Sequence, residues 1–569
     1  MYDLRESDYS LLRARMDSDL DIEMLVEYVL KDPKTKQQLR NAFNVTLNDP
    51  RTYMERCHSI LGADKRRFEI TGIDAKYQNE LEQWIELCLY VNDEQLSMRG
   101  NEPFEDCLNW FILRRGWAGS LWLLYKTADG KVVPSIIPCD PRWMTWEISA
   151  RGLKQFSYRT RMGLLEAEDK FKKTIPNANG KKYVNLQCIW DDKNYVVYQA
   201  ADTPQGTTGD PLEQVEHGFG VCPGVVTPVP TQPMIITGAE DYSTSLSRQG
   251  ESIMAANRGV YPMLNKVASI MASIAEQSFK SSLVYMGDKE GGFTQDPTAA
   301  GGITQIGKDE HIELMPARDL SQALTYLFGM LGTDKQKGGL SDINYGQIQF
   351  QVASLVVAQL KDDRDGIFVP RRKAKKTHYR QGFNIFRQMI KNGKFYKADP
   401  NVVNVEDAIE FDPALFEKKF IVAVNYTSIS PEENISNYTI AAQAKALGIP
   451  KKKILRDILH DEDPDETMRQ WDLEQAYDVA PMLRPYDMAI ATDPGQLTQK
   501  QINEDRGRIL FDAIRRQLES PEPLNAMPGV ASLPKIDLNK ASPEKISQKR
   551  LQQTGQMAAI NGQRAGGLR

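Results

Sequence analysis

Residues 333–348 read TDKQKGGLSDINYGQI, with two lysines and a glycine pair in a polar run between two long apolar-periodic segments. A glycine-rich turn beside a lysine is the chemistry of a phosphate cradle, because backbone N–H groups and an ammonium converge on one anion. The G-x-x-x-x-G-K-[ST] spacing that nucleotide binding requires is missing here. ANGKKY at 178–183 has Gly-Lys but lacks the upstream glycine and the following Ser or Thr. HGFGVCPG at 217–224 loosely resembles a dinucleotide fingerprint. Its spacing is wrong, and Pro223, Pro228 and Pro230 forbid the helix that must follow, so a turn at a strand end is expected.

Metal and nucleophile chemistry is equally thin. Cys57, Cys88, Cys107, Cys139, Cys188 and Cys222 all lie in the first 222 residues, and none forms a C-x-x-C pair. Buried free thiols are expected. His58, His217, His311, His378 and His460 are scattered. His460, Asp461, Glu462, Asp463, Asp465 and Glu466 form an acidic stretch without the sixth-position glycine of a calcium loop; such acids before a helix act as caps and dipole partners. H-E-x-x-H and G-x-S-x-G are absent. The expectation is a protein with no catalytic residues, no metal and no cofactor. The alternative is a nucleic-acid-processing enzyme with unfamiliar motifs.

The most concentrated charge lies at 371–397. Arg371, Arg372, Lys373, Lys375, Lys376, Arg380, Arg387, Lys391, Lys394 and Lys397 occur there with no acid. They are either a solvated or partner-binding helix face, or contacts to phosphate. The chain as a whole has 569 residues, 41% hydrophobic and 26% charged, with a net charge of −5. That suits a globular protein of two to four domains, and the total charge does not decide the partner. No apolar run is long enough to span a bilayer, and MYDLRESDYS is unlike a secretory signal, so a cytoplasm-like compartment of synthesis is expected.

The elements that must position these residues follow from periodicity. Residues 1 to about 115 read as mostly helical. Residues 117–235 read as antiparallel β, with hairpins around Ala128-Asp129-Gly130 and around Asp191 to Asn194, giving an α+β arrangement. In NRGVYPMLNKVASIMASIAEQ, Val260, Leu264, Val267, Met271 and Ile274 recur at spacings of four and three, a seam for a partner helix. Small residues (Ala268, Ser269, Ala272, Ser273, Ala275) surround it, suited to close helix approach, and Pro262 starts or kinks the helix. A short β insert follows. A second helix, which Asp319 can cap, carries Leu320, Leu324, Leu327 and Leu331 on one face. A long helix broken or bent at Pro370 comes next, then a short strand pair around KKFIVAVNYTSIS. Ser430, Pro431 and Glu433 form a helix-start signal. That helix ends at Gly448, and Pro450 opens the next one. The proline-rich residues beyond about 517 read as an extended or disordered tail.

This order of parts resembles the portal proteins of tailed double-stranded DNA bacteriophages. The local likeness is carried by DPRWMTWEI (140–148), HGFGVCPGVV (217–226), GLSDINYGQIQF (339–350) and DPDETMRQWDLEQ (463–475), and the organisation covers roughly residues 100–480. The resemblance implies a portal fold assembled as a ring, usually a homododecamer, around a DNA channel at one capsid vertex. Residues 1–238 would be the first part of the wing, 239–280 the first stem helix and 281–316 the clip. The second stem helix would be 317–332, the tunnel loop 333–348 and the second part of the wing 349–429. A mostly helical crown would occupy 430–516, and 517–569 the flexible tail.

On that reading Lys335 and Lys337 touch sliding DNA without regard to sequence, and Gly338 and Gly339 provide hinge freedom. Arg371, Arg372, Lys373, Lys375 and Lys376 become contacts to DNA or to a neighbouring subunit. The other implied partners are the terminase large subunit, a head–tail adaptor, and capsid and scaffold proteins, with no membrane. The implied location is the virion, after synthesis in the bacterial host cytoplasm. A minor virion component without a channel is the rival within this class.

Overall fold

The computed structural model of the chain describes residues 6–39, 42–150, 152–175, 180–200, 207–232, 241–279, 283–286, 311–314, 322–340, 354–398, 403–427, 431–459, 464–492 and 499–519. The chain divides into two compact units, Met1–Ser436 and Asn437–Arg569.

The first unit opens with helices α1 (Ser10–Glu23) and α2 (Asp49–Gly62) and strand β1 (Lys65–Thr71). Helices α3 (Ala75–Met98) and α4 (Phe104–Arg114) follow, then β2 (Trp117–Lys126), β3 (Val132–Cys139), β4 (Met144–Ser149) and β5 (Gly152–Gly163). After α5 (Leu164–Phe171) come β6 (Tyr183–Trp190), β7 (Asn194–Ala200), β8 (Thr207–Glu216) and β9 (Gly224–Pro228). Short α6 (Tyr242–Ser247) and long α7 (Val260–Phe279) lead to β10 (Leu283–Met286), β11 (His311–Leu314) and α8 (Gln322–Lys337). The unit closes with α9 (Ser354–Asn392), β12 (Tyr396–Lys397), α10 (Pro413–Glu417) and β13 (Ile421–Thr427). Helix α11 (Pro431–Ala446) carries the chain into the second unit. There the described elements are all helices: α12 (Lys451–Asp457), α13 (Pro464–Val479), α14 (Leu483–Thr492) and α15 (Gln499–Glu519).

The fold is mixed α and β, with helices and antiparallel strands largely segregated along the chain. Both expected hairpins form. β2 pairs antiparallel with β3 across a turn where Gly130 takes φ +86°, and β6 pairs with β7 across Asp191–Asn194. β6 and β7 belong to a five-stranded meander, β4 to β8 in sequence order. The 217–224 stretch connects β8 to β9 and opens no helix. One pairing in the β2 sheet is parallel, contributed by β12 from far along the chain.

β2 is covered on both faces, as its run Trp117 to Leu124 requires. Helix α9 lies over β9 and β2, α4 over β2 and β3, and α3 over β3. Trp122 is the centre of this packing, edge-on to Phe104 of α4 at 5.8 Å and to Phe383 and Phe386 of α9 at 5.1 and 5.0 Å. Gly382 is required at that point, since a Cβ there would run into the Trp122 ring. On the far side of the helices lies a ribbon in which β1 pairs with β13, Lys65 opposite Thr427 through Thr71 opposite Ile421.

Three expectations change. The strand near 421 pairs with β1 from the supposedly helical N-terminal region, and not with a local neighbour. β1 reads KRRFEIT with only Phe68 and Ile70 buried, so its own pattern is weak. Helix α9 continues through Pro370, which excludes the break though not the bend. The lost N–H of Pro370 leaves the carbonyl of solvent-exposed Gly366 without its helical donor, and water can satisfy it there. Helix α8 extends to Lys337, so the first residues of the expected tunnel loop are helical. Pro431 and Gly448 stand as expected at the start and just past the end of α11, and Gly448 is left-handed at φ +81°. Asp319, Ser430, most of 281–316, residues 341–348 and the tail from 520 lie outside the described residues.

Candidate nucleic-acid interface

The candidate DNA-facing element is the helix pair α7–α8, which pack on each other, with the antiparallel pair β10–β11 between them in sequence. Asn257, just before α7, donates from Nδ2 to the carbonyl of Lys335, near the end of α8, at 3.0 Å. The helices are therefore antiparallel. Pro262 falls in the first turn of α7, where no intrahelical N–H is lost. Leu264 and Val267 of the expected seam are buried, while Val260, Met271 and Ile274 are half-buried.

The base of α7 is fixed by charge. Arg258 donates to both carboxylate oxygens of Asp19 at 2.5 and 2.9 Å and to Glu251 at 2.6 Å. Ser252 gives Asp19 a further hydrogen bond at 2.7 Å. Asp19 is buried, and a buried carboxylate is tolerable only with such pairing.

The small residues of α7 do something the sequence did not suggest. Asn265, Ser269 and Ser273, four residues apart on one face, accept the backbone N–H groups of Leu47, Val45 and Phe43 at 3.0, 2.9 and 2.8 Å. Four helical residues rise about 6.0 Å, and two residues of extended chain advance about 6.6 Å, so the two periods nearly coincide. On the other side of this strap, Asn44 and Thr46 accept the N–H groups of Leu30 and Tyr28 at 3.0 and 2.9 Å. A helix face thus takes the place of a neighbouring strand.

The expected loop residues are held more firmly than a mobile loop would allow. Lys335 pairs with Asp49 of α2 at 2.8 Å. Lys337 projects outward, its side chain 73% exposed, with Asp334 one turn away at 3.7 Å. Gly338 and Gly339 donate to the carbonyls of Asp334 and Gln336 and terminate α8. A Cβ on Gly338 would collide with the Asn257 side chain, and one on Gly339 would press on Lys335 O and Tyr53 at 3.2 and 3.4 Å. Leu340 is buried in a cluster with Tyr53, Met54, Cys57, Leu61, Leu113, Ile253, Met254, Tyr261 and Phe368. These glycines allow close approach between the end of α8 and Asn257 and Tyr53. The remaining loop residues, 341–348, lie outside the described residues.

The basic run divides into two faces, and three of its five candidate contacts are withdrawn from any partner. Arg371 is buried and donates to the carbonyls of Ile367 and Ser252 at 2.8 and 3.2 Å. Arg372 grips Asp64 in a two-pronged pair at 2.7 and 2.9 Å. Lys375 is fully buried, pairs with Glu105 and sits 4.2 Å from the centre of the Tyr426 ring. Glu105 also meets Arg66 at 3.0 Å. Burial alone would raise the Glu105 pKa, but Lys375 and Arg66 outweigh it and hold the carboxyl below its ordinary value. Arg387 donates to the carbonyls of Phe416, Phe420 and Lys418. Lys373, Lys376, Arg380, Lys391 and Lys394 stand on the other face, exposed or half-exposed.

A serine–histidine contact also emerges. His378 Nε2 lies 2.7 Å from Ser120 Oγ, and its Nδ1 lies 3.2 Å from Thr227 Oγ1. Burial lowers the His378 pKa to about 3, with Glu105 opposing. Ser120 also accepts the Trp122 indole N–H at 2.7 Å, and both Ser120 and His378 are sealed from solvent. The pair is a neutral core link between α9 and β2, with no route for a substrate. All six cysteines are free thiols, five buried and Cys107 half-buried. Among the described residues, no group of three or more His, Cys, Asp or Glu side chains is arranged to hold a metal, and no helix is long and apolar enough to cross a membrane. No known protein family matches this sequence, and no curated protein is detectably similar to it.

Proposed function

We propose that the chain is the subunit of a phage portal, a ring-shaped channel at one capsid vertex through which double-stranded DNA is packaged and ejected. The observation that carries this reading is helix α8. It has sixteen residues and none of them is buried in the single chain. Residues 322–333, QALTYLFGMLGT, contain no charge, yet Tyr326 is 72% and Met330 48% exposed, with Leu327 and Phe328 also open to solvent. A twelve-residue uncharged helical stretch with an open apolar surface calls for partners, since each such side chain gains about 1.5–3 kcal/mol when fully buried. In a ring, each helix pair has a neighbour on either side.

The helix–hairpin–helix order of α7, β10–β11 and α8, set on a mixed α/β body, supports the assignment of α7 and α8 to the stem and of 281–316 to the clip. Lys337 at the foot of α8 would face phosphate through a long-range contact that ignores sequence, as a sliding duplex requires. The hairpin end would dock the terminase motor during packaging and the head–tail adaptor afterwards. Residues 430–516, whose described elements are helices, would be the crown.

Native mass measurement with negative-stain imaging of the purified protein tests the reading. A closed ring is expected, usually of twelve subunits. A well-folded protein that stays monomeric at micromolar concentration would refute it.

A further inference from the structure

Two helices of the first unit carry exposed faces of opposite sign. From Glu80 to Met98, α3 contains no cation, and its exposed positions include Glu80, Glu86, Leu87, Tyr90, Glu94 and Met98. From Lys373 to Lys391, α9 contains no acid, and its outward positions include Val369, Lys373, Lys376, Arg380 and Lys391. The acids of α3 span Glu80 to Glu94, fourteen helical steps or about 21 Å, and the cations of α9 span Lys373 to Lys391, eighteen steps or about 27 Å. Glu86 lies 3.5 Å from Arg66, while none of the five outward cations Lys373, Lys376, Arg380, Lys391 and Lys394 has an ion-pair partner among the described residues.

Helices α3 and α9 lie on either side of α4. Helix α4 touches both α3 and α9 and fills the space between them on β2 and β3. Phe416 of α10, which packs on α9, meets Trp84 of α3 with ring centres 4.9 Å apart, so α10 fills the same layer. With α4 and α10 packed between the two helices, the outward cations of α9 have no ion-pair partner on α3 within one chain among the described residues, and Glu86 turns inward, to Arg66. Complementary patches at two different places on one chain suit a head-to-tail contact, which repeats until it closes into a ring.

We infer that the acidic and apolar face of α3 docks on the basic face of α9 in a second copy of this chain, so that the outward half of the basic run binds protein and not DNA. The inference rests on the ring reading and names the surfaces that join its subunits. The α3 side supplies Leu87, Tyr90 and Met98 as apolar contacts, and the charges set register and exclude like-with-like pairing.

The test uses full-length chains. One variant carries Lys373→Glu and Arg380→Glu, and another carries Glu80→Lys and Glu94→Lys. All four positions are exposed, so folding should survive, and circular dichroism checks that. Each variant alone sets like charges against each other at every junction and should lose association by about tenfold or more per junction. An equal mixture should assemble into rings of alternating subunits, because each altered face then meets its complement. Native mass spectrometry reads all three samples, and a bifunctional maleimide joining Gln83→Cys to Asn384→Cys in the wild-type background should give a ladder of cross-linked oligomers. Rescue in the mixture, with the ladder, supports the inference. Two variants that each form wild-type rings would overturn it while leaving the ring intact. Variant rings that assemble normally but lose DNA binding would overturn it in favour of a nucleic-acid role for the α9 face. Wild-type protein that never assembles would remove both the inference and the function it rests on.

Discussion

Replacing Ser269 by Ala tests whether the face of α7 acts as a strand surrogate. Ser269 is fully buried, and its Oγ accepts the Val45 N–H at 2.9 Å while bonding the Asn265 carbonyl at 2.7 Å. The alanine variant leaves the Val45 amide without its acceptor in a site where water is poorly admitted, a loss of about 1–3 kcal/mol. Alanine is the better helix former by up to about 0.5 kcal/mol, so the net destabilisation should be about 0.5–2.5 kcal/mol. Ser273→Ala is the internal control. Its partner Phe43 is 52% exposed, so water replaces the lost bond and the propensity gain should cancel the remainder. Hydrogen exchange of the 43–47 peptide reads the result, since each 1.4 kcal/mol of local opening is about tenfold in rate. Exchange should quicken for Ser269→Ala and barely change for Ser273→Ala. Equal effects, or a larger one at Ser273, would refute the argument that alternate-residue and four-residue periods lock together here.

Lys375→Ala should destabilise the fold by about 2–4 kcal/mol in urea unfolding, because it empties a fully buried site and removes one of the two cations paired with Glu105, whereas Lys373→Ala should stay within about 0.5 kcal/mol. His378 has a folded pKa of about 3 against an ordinary 6.5, so its contribution is complete above pH 6.5 and is lost as pH falls from there towards 3. At pH 5 that loss should reach about 2 kcal/mol, and a His378→Gln variant should lack this slope. Glu105, whose folded pKa is depressed, adds a separate loss below its ordinary 4.5, which the same titration resolves. Lys335→Ala with Lys337→Ala should leave folding and ring assembly intact, at about 1 kcal/mol or less per residue, and impair packaging or retention of DNA in a salt-sensitive way. Normal packaging by that double variant would count against the channel role of Lys337.

Local signals were legible, and distant partners were not. The β2–β3 and β6–β7 hairpins, the α7 seam and the start of α11 each depend on residues within one turn or one helix of each other. β1 gave no warning, because four of its seven residues are charged and its partner strand begins at residue 421. The end of α8 was only partly readable: a Gly-Gly pair after two lysines is a helix-stop signal, but Gly329 and Gly332 offered earlier stops inside the helix. Treating the polar run as loop from residue 333 overlooked it. The basic run was counted as one patch, although 371, 375, 378, 379, 382 and 386 already follow a buried helical period. The acids that neutralise its inner face, Asp64 and Glu105, are far away in sequence. The spacing of Asn265, Ser269 and Ser273 was visible, but nothing in it announced an N-terminal strap.

The pairing of Lys65 with Thr427 sets a clock on synthesis. A ribosome adding about 5–20 residues each second takes about 20–70 s to travel between them. Through that interval β1 waits with both edges open, a template for any passing strand. Its opening residues are Lys65, Arg66 and Arg67, three adjacent cations that repel a second nascent copy of the same segment. In the folded chain Arg66 pairs with Glu105 and Glu86, so a cation that guards the waiting edge also ties the strand to α4 and α3.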